Sequence, residues 1–141
     1  MKRTLVFLCA FLLSLSTLGQ ETEWQLYASV DGVDIYTKET DCNARNIPAQ
    51  KAIIIKIVNT TDENLIVEWD RAIWYNGELV TENISDDENH IIVEIDKNST
   101  QEGTCEVPRG ALYLYKDFIT YDTDTKLTNF ELQNLTIKRQ K

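Results

Sequence analysis

An alternation of apolar and polar side chains with a period of two constrains the fold of this chain more than any other feature. Residues 26–30 and 33–36 alternate on either side of Asp31-Gly32, and residues 65–75 and 78–81 flank Asn76-Gly77. Asp-Gly and Asn-Gly favour two-residue hairpins, because both central residues of such turns need a positive φ. The sequence therefore predicts two β-hairpins.

These two turns also predict which residues of the flanking strands lie opposite each other. The expected pairs are Ala28 with Ile35, Tyr27 with Tyr36, Trp74 with Leu79 and Arg71 with Glu82. In this register apolar side chains meet apolar ones, Arg71 meets a carboxylate, and the two tyrosines form a cross-strand aromatic pair.

Further strands are predicted along the rest of the chain. Residues 52–58 are nearly all β-branched and predict a strand buried on both faces, whereas residues 90–95, 111–115 and 127–137 predict shorter or half-buried strands. The alternation breaks at residues 132–135, where we expect a β-bulge. No window shows a helical period. The fold class is therefore all-β: a single antiparallel two-sheet sandwich, immunoglobulin-like in plan, with seven or eight short strands. A small barrel is the competing architecture.

The N-terminus has the pattern of a secretory signal peptide. Lys2 and Arg3 precede an apolar run over residues 5–13, and small and polar residues lead to Gly19. The run is too short to cross a bilayer, and no second one follows. We expect residues 1–19 to be removed and residues 20–141 to form one β-sandwich domain that is secreted or periplasmic, with no transmembrane segment.

The charge of the chain disfavours some partners. The net charge is −9, and removal of Lys2 and Arg3 leaves 12 basic against 23 acidic residues, a net charge of −11. Such a surface repels nucleic-acid phosphates and anionic lipid headgroups. We expect no nucleic-acid partner, and an unidentified protein or glycan as the binding partner.

Two cysteines remain after the signal peptide and its Cys9 are removed. Cys42 and Cys105 have no Cys-x-x-Cys or histidine neighbours that would indicate a metal or redox site. An even pair in a small exported domain is typical of a disulfide. We therefore expect Cys42 to be linked to Cys105.

The residues give little support for catalysis. His90 is the single histidine, and we expect it on the exposed side of a strand, without a nucleophile motif. No phosphate-binding glycine loop or zinc ligand set is present, so we predict no cofactor and no catalytic residue. Paired carboxylates of a small hydrolase are a minor alternative, because 23 acidic residues form many pairs.

An acidic segment is a weak candidate for calcium binding. Asp86, Asp87 and Glu88 offer carboxylate oxygens, and Asp122 and Asp124 could add to them, but the order of residues is not that of an EF-hand loop. We favour a solvated acidic turn over a metal site.

Aromatic residues provide the sharpest binding hypothesis. Trp24, Trp74 and Tyr75 are candidates for stacking on sugar rings, if their side chains are exposed in one plane. Burial in the core is the alternative, and it is expected for Trp69, which shares a strand face with Leu65 and Val67. The exposed-aromatic interpretation predicts a carbohydrate-binding module.

The framework residues resemble those of a known class of proteins. Trp24-Gln25-Leu26-Tyr27 leads into residues 31–36, a central strand carries Trp69 and Trp74, and the chain closes on Asn129-Phe130-Glu131-Leu132. This pattern is similar to that of small exported bacterial β-sandwich proteins, immunoglobulin-like in plan, whose function is uncharacterised. The resemblance implies a fold and an extracytoplasmic location. Taken together, we expect a non-catalytic binding or interaction module.

Overall fold

The computed structural model of the protein describes residues 23–81, 86–108 and 110–141. The predicted signal peptide and the pairing of Arg71 with Glu82 lie outside these ranges. The nine strands of the described residues are β1 Gln25–Val30, β2 Val33–Cys42, β3 Gln50–Asn59, β4 Leu65–Tyr75, β5 Glu78–Leu79, β6 His90–Ile95, β7 Thr100–Glu102, β8 Tyr113–Phe118 and β9 Leu127–Arg139. One helical turn, α1, spans Asp86–Asn89.

The strands form two separate antiparallel sheets, as expected for a sandwich. Sheet A has the order β1-β2-β3, and β7 and β8 both pair with β3 at different positions along its far edge. In sheet B, β9 pairs with one edge of β4, whereas β5 and β6 pair with separate halves of its other edge. The predicted all-β, two-sheet fold is confirmed.

The number of strands is nine rather than the seven or eight predicted. The additional strand is β7, which is three residues long and fully exposed. A strand of this length leaves no periodic signal, since it pairs with β3 through its backbone alone and buries no side chain.

Both predicted hairpin turns are present. Asp31 and Gly32 have φ of 49° and 80°, and Asn76 and Gly77 have φ of 51° and 82°. These left-handed conformations are the ones that two-residue turns require. The predicted pairs Ala28 with Ile35 and Trp74 with Leu79 are confirmed.

The predicted pair of Tyr27 with Tyr36 is wrong. The register of β1 shifts between Leu26 and Ala28, so that Leu26 lies opposite Tyr36 and Tyr27 is the extra residue of a bulge. The ring of Tyr27 stacks on Phe130 of sheet B at 5.8 Å, and its hydroxyl accepts a hydrogen bond from the Leu132 amide at 2.9 Å. Contact between the sheets therefore outweighs a cross-strand pair within sheet A.

The main core lies between the two sheets. It contains the inward side chains of β2, β3, β4 and β6 together with Leu112, Leu114 and Leu132. Trp69 is completely buried there, as expected, and β3 is buried on both faces, as its β-branched run predicts. The second face of β3 packs into a separate cluster that holds Cys42, Ala52, Ile54 and Tyr113.

The predicted irregularity of the last strand is confirmed. The register of β9 against β4 shifts between Glu68 and Asp70, and Asn134 has a φ of 52°. The bulge turns the Asn134 amide toward the Asp70 carboxylate. Asparagine tolerates this left-handed backbone better than most residues.

Candidate functional site

A pocket on the outer side of sheet A, lined by several aromatic rings, is a candidate binding site. Its volume is about 690 Å³, within the range of about 300–1,000 Å³ that ligand pockets occupy. The lining residues are Ile47, Pro48, Gln50, Pro108, Tyr113, Tyr115, Phe118, Thr123 and Thr125. We call this the aromatic pocket. Its lining comes from the start of β3, from β8, and from the three segments that connect β2 to β3, β7 to β8 and β8 to β9.

Strands β3 and β8 supply the floor of the aromatic pocket. Gln50 lies opposite Phe118, and the Gln50 side-chain amide donates a hydrogen bond to the Tyr113 hydroxyl. Gln50 and Tyr113 are buried, and burial raises the pKa of the Tyr113 phenol. A register shift between Lys51 and Ala52 allows Tyr115 and Phe118 to lie on the same side. The floor is thus fixed by sheet hydrogen bonds.

A chain of aromatic contacts continues from the floor. The Tyr115 and Phe118 rings lie 5.1 Å apart, and Phe118 meets Tyr121 edge-on at 5.7 Å. Tyr75 of sheet B reaches the same cluster, where its hydroxyl donates to the Tyr115 carbonyl at 2.9 Å. Burial raises the pKa of Tyr75 to about 12, so this hydroxyl remains a neutral donor at physiological pH.

The cysteine pair anchors two walls of the pocket. Cys42 and Cys105 are at disulfide distance, with Cα atoms 5.3 Å apart, as the sequence predicts. Cys42 lies opposite Gln50, and Cys105 begins the segment that carries Pro108. Gly103 precedes this segment, where an added Cβ would lie 2.1 Å from the Leu112 carbonyl oxygen. The close approach therefore requires glycine.

Asn76 anchors the remaining wall, which is formed by residues 119–126. Its side-chain amide donates to the Asp124 carbonyl, and its side-chain oxygen accepts from the Lys126 amide at 3.1 Å. The backbone of Asn76 also donates to the Lys126 carbonyl at 2.9 Å. The hairpin turn at the end of β4 therefore holds the segment that contains Thr123 and Thr125.

The described lining of the aromatic pocket carries no charged side chain, although the protein has a net charge of −9. Its polar groups are hydroxyls and one amide. Two hydroxyl oxygens of this region, the Tyr115 Oη and the Thr123 Oγ1, have no hydrogen-bond partner and no surface open to solvent, so they do not face the open cavity. A lining of this kind suits an uncharged ligand.

The three predicted sugar-stacking residues do not form one surface. Trp24 packs beside the second cluster of sheet A, where Lys56 Nζ lies 4.2 Å from its ring centroid and Lys38 Nζ lies 5.2 Å away. Trp74 is half-buried on β4 of sheet B, and Tyr75 is held inside the aromatic cluster. The sequence-based set is therefore dispersed, because Trp24 precedes β1 of sheet A, whereas Trp74 and Tyr75 lie on β4 of sheet B, where the register against β9 shifts between them.

The single histidine lies on the outer face of sheet B, on the exposed side of β6 as predicted. His90 Nδ1 is 2.7 Å from Asp70 Oδ1, and Nε2 is 3.8 Å from Glu68. Hydrogen bonds from Asn134 and His90 hold the pKa of Asp70 below its usual range. A general acid needs a raised pKa, so this carboxylate does not suit the acid role of a hydrolase pair.

The side chains that the structure describes in the acidic segment form no metal site. Asp86 and Asp87 belong to α1, but their side chains fall outside the described part of the chain, and Glu88 is exposed. Among the described residues, no three His, Cys, Asp or Glu side chains are grouped so as to hold a metal ion. Nor do these residues contain a helix long and apolar enough to cross a membrane.

A second, smaller cavity lies between β6 and residues 101–113. Its volume is about 410 Å³, and Ile92 and Val107 are exposed at its mouth beside Glu94 and Glu102. Tyr113 is its one aromatic lining residue, so it lacks the group of rings that forms the floor of the aromatic pocket.

The comparisons with known proteins add no assignment. No protein-family model matches the chain, and no curated protein or solved structure matches it. Sequence reasoning missed the aromatic pocket, because its lining comes from segments between residues 47 and 125. One available signal was the concentration of Tyr113, Tyr115, Phe118 and Tyr121 within nine positions.

Proposed function

We propose that this protein is an exported, non-catalytic binding module whose ligand occupies the aromatic pocket. The observation that carries the proposal is the pocket itself, where Tyr113, Tyr115 and Phe118 belong to the floor of a neutral, partly polar lining. Pockets of this composition bind small ligands or single residues of larger ones. Export is supported by the N-terminal charge and hydropathy pattern and by the cysteine pair.

The position of the pocket also favours binding over catalysis. Its rings stand on a sheet, and its walls are attached through Asn76 and the cysteine pair, so the surface is preorganised. Titratable groups of the lining are the tyrosine hydroxyls, and burial raises the pKa of Tyr113 rather than activating it. A rigid pocket whose described lining is uncharged is suited to holding a neutral ligand.

A fragment screen tests the proposed function. Two-dimensional ¹H–¹⁵N NMR spectra of the mature protein should show that uncharged ring-bearing fragments shift the amide signals of Ile47, Ala49 and Gln50 and of residues 111–118. Phe118→Ala should weaken these fragments about tenfold, because it removes one ring face. Ile92→Ala, at the mouth of the smaller cavity, is the matched control and should leave their affinity unchanged.

Two results would contradict the proposed site. One is a screen in which no fragment shifts these amides. The other is binding that Ile92→Ala abolishes and Phe118→Ala leaves intact, which would move the site to the smaller cavity.

A further inference from the structure

We infer that the outer edge of β6 is a docking site for an extended peptide with basic side chains, which adds to sheet B as a further strand. The site consists of the β6 backbone and the smaller cavity between β6 and residues 101–113. The described lining of this cavity shares only Tyr113 with the aromatic pocket. The inference therefore concerns a second site and goes beyond the proposed function.

Strand β6 lies at an edge of sheet B. It pairs with β4 on one side, and no described strand pairs with its other side. In an antiparallel strand the N–H and C=O groups of one residue point to the same side, as do those of the residue two positions away. The Glu94 carbonyl accepts a hydrogen bond from the Gln101 side chain of β7, so it points away from β4. The backbone groups of Ile92 therefore also point away from β4, where a peptide strand can bond to them.

The cavity provides space for the side chains of an added strand, which alternate between the two faces of sheet B. Side chains on the inner face would enter the cavity of about 410 Å³ beside Val93, where Val107 and Ala111 contribute apolar surface. Side chains on the outer face would lie beside Ile92 and Glu94, which are exposed. A free strand edge next to an apolar cavity suits an extended peptide rather than a compact small molecule.

The charge around the cavity selects the side chains of the peptide. Glu94 and Glu102 belong to the lining, and the ion pairs of the described residues include neither carboxylate. The Glu94 carboxylate accepts a hydrogen bond from the neutral Gln140 amide at 3.2 Å, which leaves its charge uncompensated. The net charge of −9 also attracts cations, whereas a second copy would bring two negatively charged surfaces together. A basic peptide is therefore the favoured occupant.

Synthetic peptides test the inference on the folded mature protein. The probe is a seven-residue peptide in which lysine alternates with valine, and its acidic counterpart has glutamate in place of lysine. The lysine peptide should shift the amide signals of Ile92, Glu94 and Val107 in ¹H–¹⁵N NMR titrations. The glutamate peptide should bind at least about tenfold more weakly, because it meets like charges at the β6 edge.

Backbone methylation of the lysine peptide tests strand addition directly. An added strand bonds to β6 through every second amide, and the remaining amides point outward. N-methylation of the lysine residues in one peptide and of the valine residues in another covers both sets of amides. One methylated peptide should bind at least about tenfold more weakly than the parent peptide, and the other should retain its affinity.

A charge reversal on β6 tests the role of Glu94. Glu94→Lys should weaken binding of the lysine peptide about fivefold and strengthen binding of the glutamate peptide. Glu131→Lys, at an exposed position of β9, changes the net charge by the same amount and is the matched control. It should leave both affinities nearly unchanged.

Several results would overturn the inference. The lysine peptide could fail to bind, or the two methylated peptides could bind equally, which would exclude strand addition. Equal effects of Glu94→Lys and Glu131→Lys would reduce the attraction to the net charge of the protein. Shifts confined to Tyr115 and Phe118 would place the peptide in the aromatic pocket. A dimer of the protein alone that protects the Ile92 amide from hydrogen exchange would assign the β6 edge to a second copy.

Discussion

At the residue scale, Asn59 shows how one buried polar side chain can organise several turns. Asn59 is 1% exposed at the end of β3, and its amide donates to the Glu63 carbonyl at 2.8 Å and to the Asp96 carbonyl at 3.0 Å. Its side-chain oxygen accepts from both the amide and the hydroxyl of Thr61. The residue thereby joins the β3–β4 turn to the β6–β7 turn. Asn59 also begins an Asn-x-Thr triplet, and a glycan on its buried amide would be incompatible with these hydrogen bonds.

Replacement of Asn59 should be costly. Asn59→Ala leaves two carbonyls and the Thr61 amide without their partner, and we expect the free energy of unfolding to fall by about 2–3 kcal/mol. Urea denaturation followed by tryptophan fluorescence measures the change. Asn129→Ala, an exposed asparagine on β9, is the control and should change stability by less than about 0.5 kcal/mol. Equal losses in the two variants would contradict the network described here.

At the element scale, Asp70 joins three strands of sheet B. From β4 it accepts a hydrogen bond from Asn134 of β9 at 2.8 Å and contacts His90 of β6 at 2.7 Å. The Asn134 contact depends on the β9 bulge, because a regular strand would not turn this side chain toward Asp70. The lowered pKa of Asp70 follows first from the Asn134 amide and then from His90.

The lowered pKa of Asp70 predicts a pH dependence of stability. A carboxylate whose pKa is lower in the folded state stabilises the fold above its unfolded pKa, near 3.8, and loses that contribution as the pH falls through the folded value. Asp70→Asn should therefore be less stable than the parent at pH about 6 by at most about 1 kcal/mol, because the site is half-exposed. The difference should be smaller at pH about 2, because the parent carboxylate becomes protonated as the pH falls through its folded pKa.

Asn134→Gly provides an independent check on this assignment. Glycine accepts the left-handed backbone of residue 134 but removes the amide donor. Urea denaturation at the two pH values should show that this variant reproduces part of the Asp70→Asn effect. A stability difference that grows toward acidic pH in either variant would have the wrong sign for the mechanism.

At the scale of the whole molecule, the cysteine pair connects distant parts of the chain on the outer side of sheet A. Cys42 and Cys105 are separated by 63 residues, and the segment between them includes β3, β4, β5, β6 and β7. Their cluster with Tyr113 and Tyr115 is distinct from the core that contains Trp69. The link therefore reinforces the wall of the aromatic pocket rather than the space between the sheets.

Export and the disulfide are tested together. Protein recovered from outside the cytoplasm should begin at Gln20 and contain a Cys42–Cys105 peptide on non-reducing mass spectrometry. Cys42→Ser/Cys105→Ser should lose about 2–4 kcal/mol of unfolding free energy, since closing a loop of this length restricts the unfolded chain. Reductant should destabilise the parent protein and leave the double variant unchanged. A retained Met1 or free thiols in exported material would contradict the prediction.

Much of the framework follows from local sequence. Asp31-Gly32 and Asn76-Gly77 predict their turns because the φ requirement acts within two residues. The β-branched run of β3 predicts burial on both faces because a side-chain period of two leaves neither face polar. These features depend on the local sequence and not on the positions of the other strands.

The features that sequence reasoning missed depend on contacts between distant segments. Tyr27 leaves the register of its hairpin because Phe130, more than 100 positions away, offers a stacking partner. The candidate sugar-stacking set was dispersed, since strand alternation does not say which sheet a strand joins. The side chains of Asp86 and Asp87 remain outside the described residues, so the calcium prediction stays a prediction.

The sequence by itself determined an all-β chain with two tight hairpins, a doubly buried strand and a paired set of cysteines, because these depend on periodicity, turn conformation and composition. Only the tertiary structure decided that Gln50, Tyr113, Tyr115, Phe118 and Thr123 surround one pocket. The physical reason is that a pocket forms only where segments that are distant in the sequence come close together in space. The register of β3 with β8 and the contacts of Asn76 bring these segments together, and neither can be predicted from the sequence of a single segment.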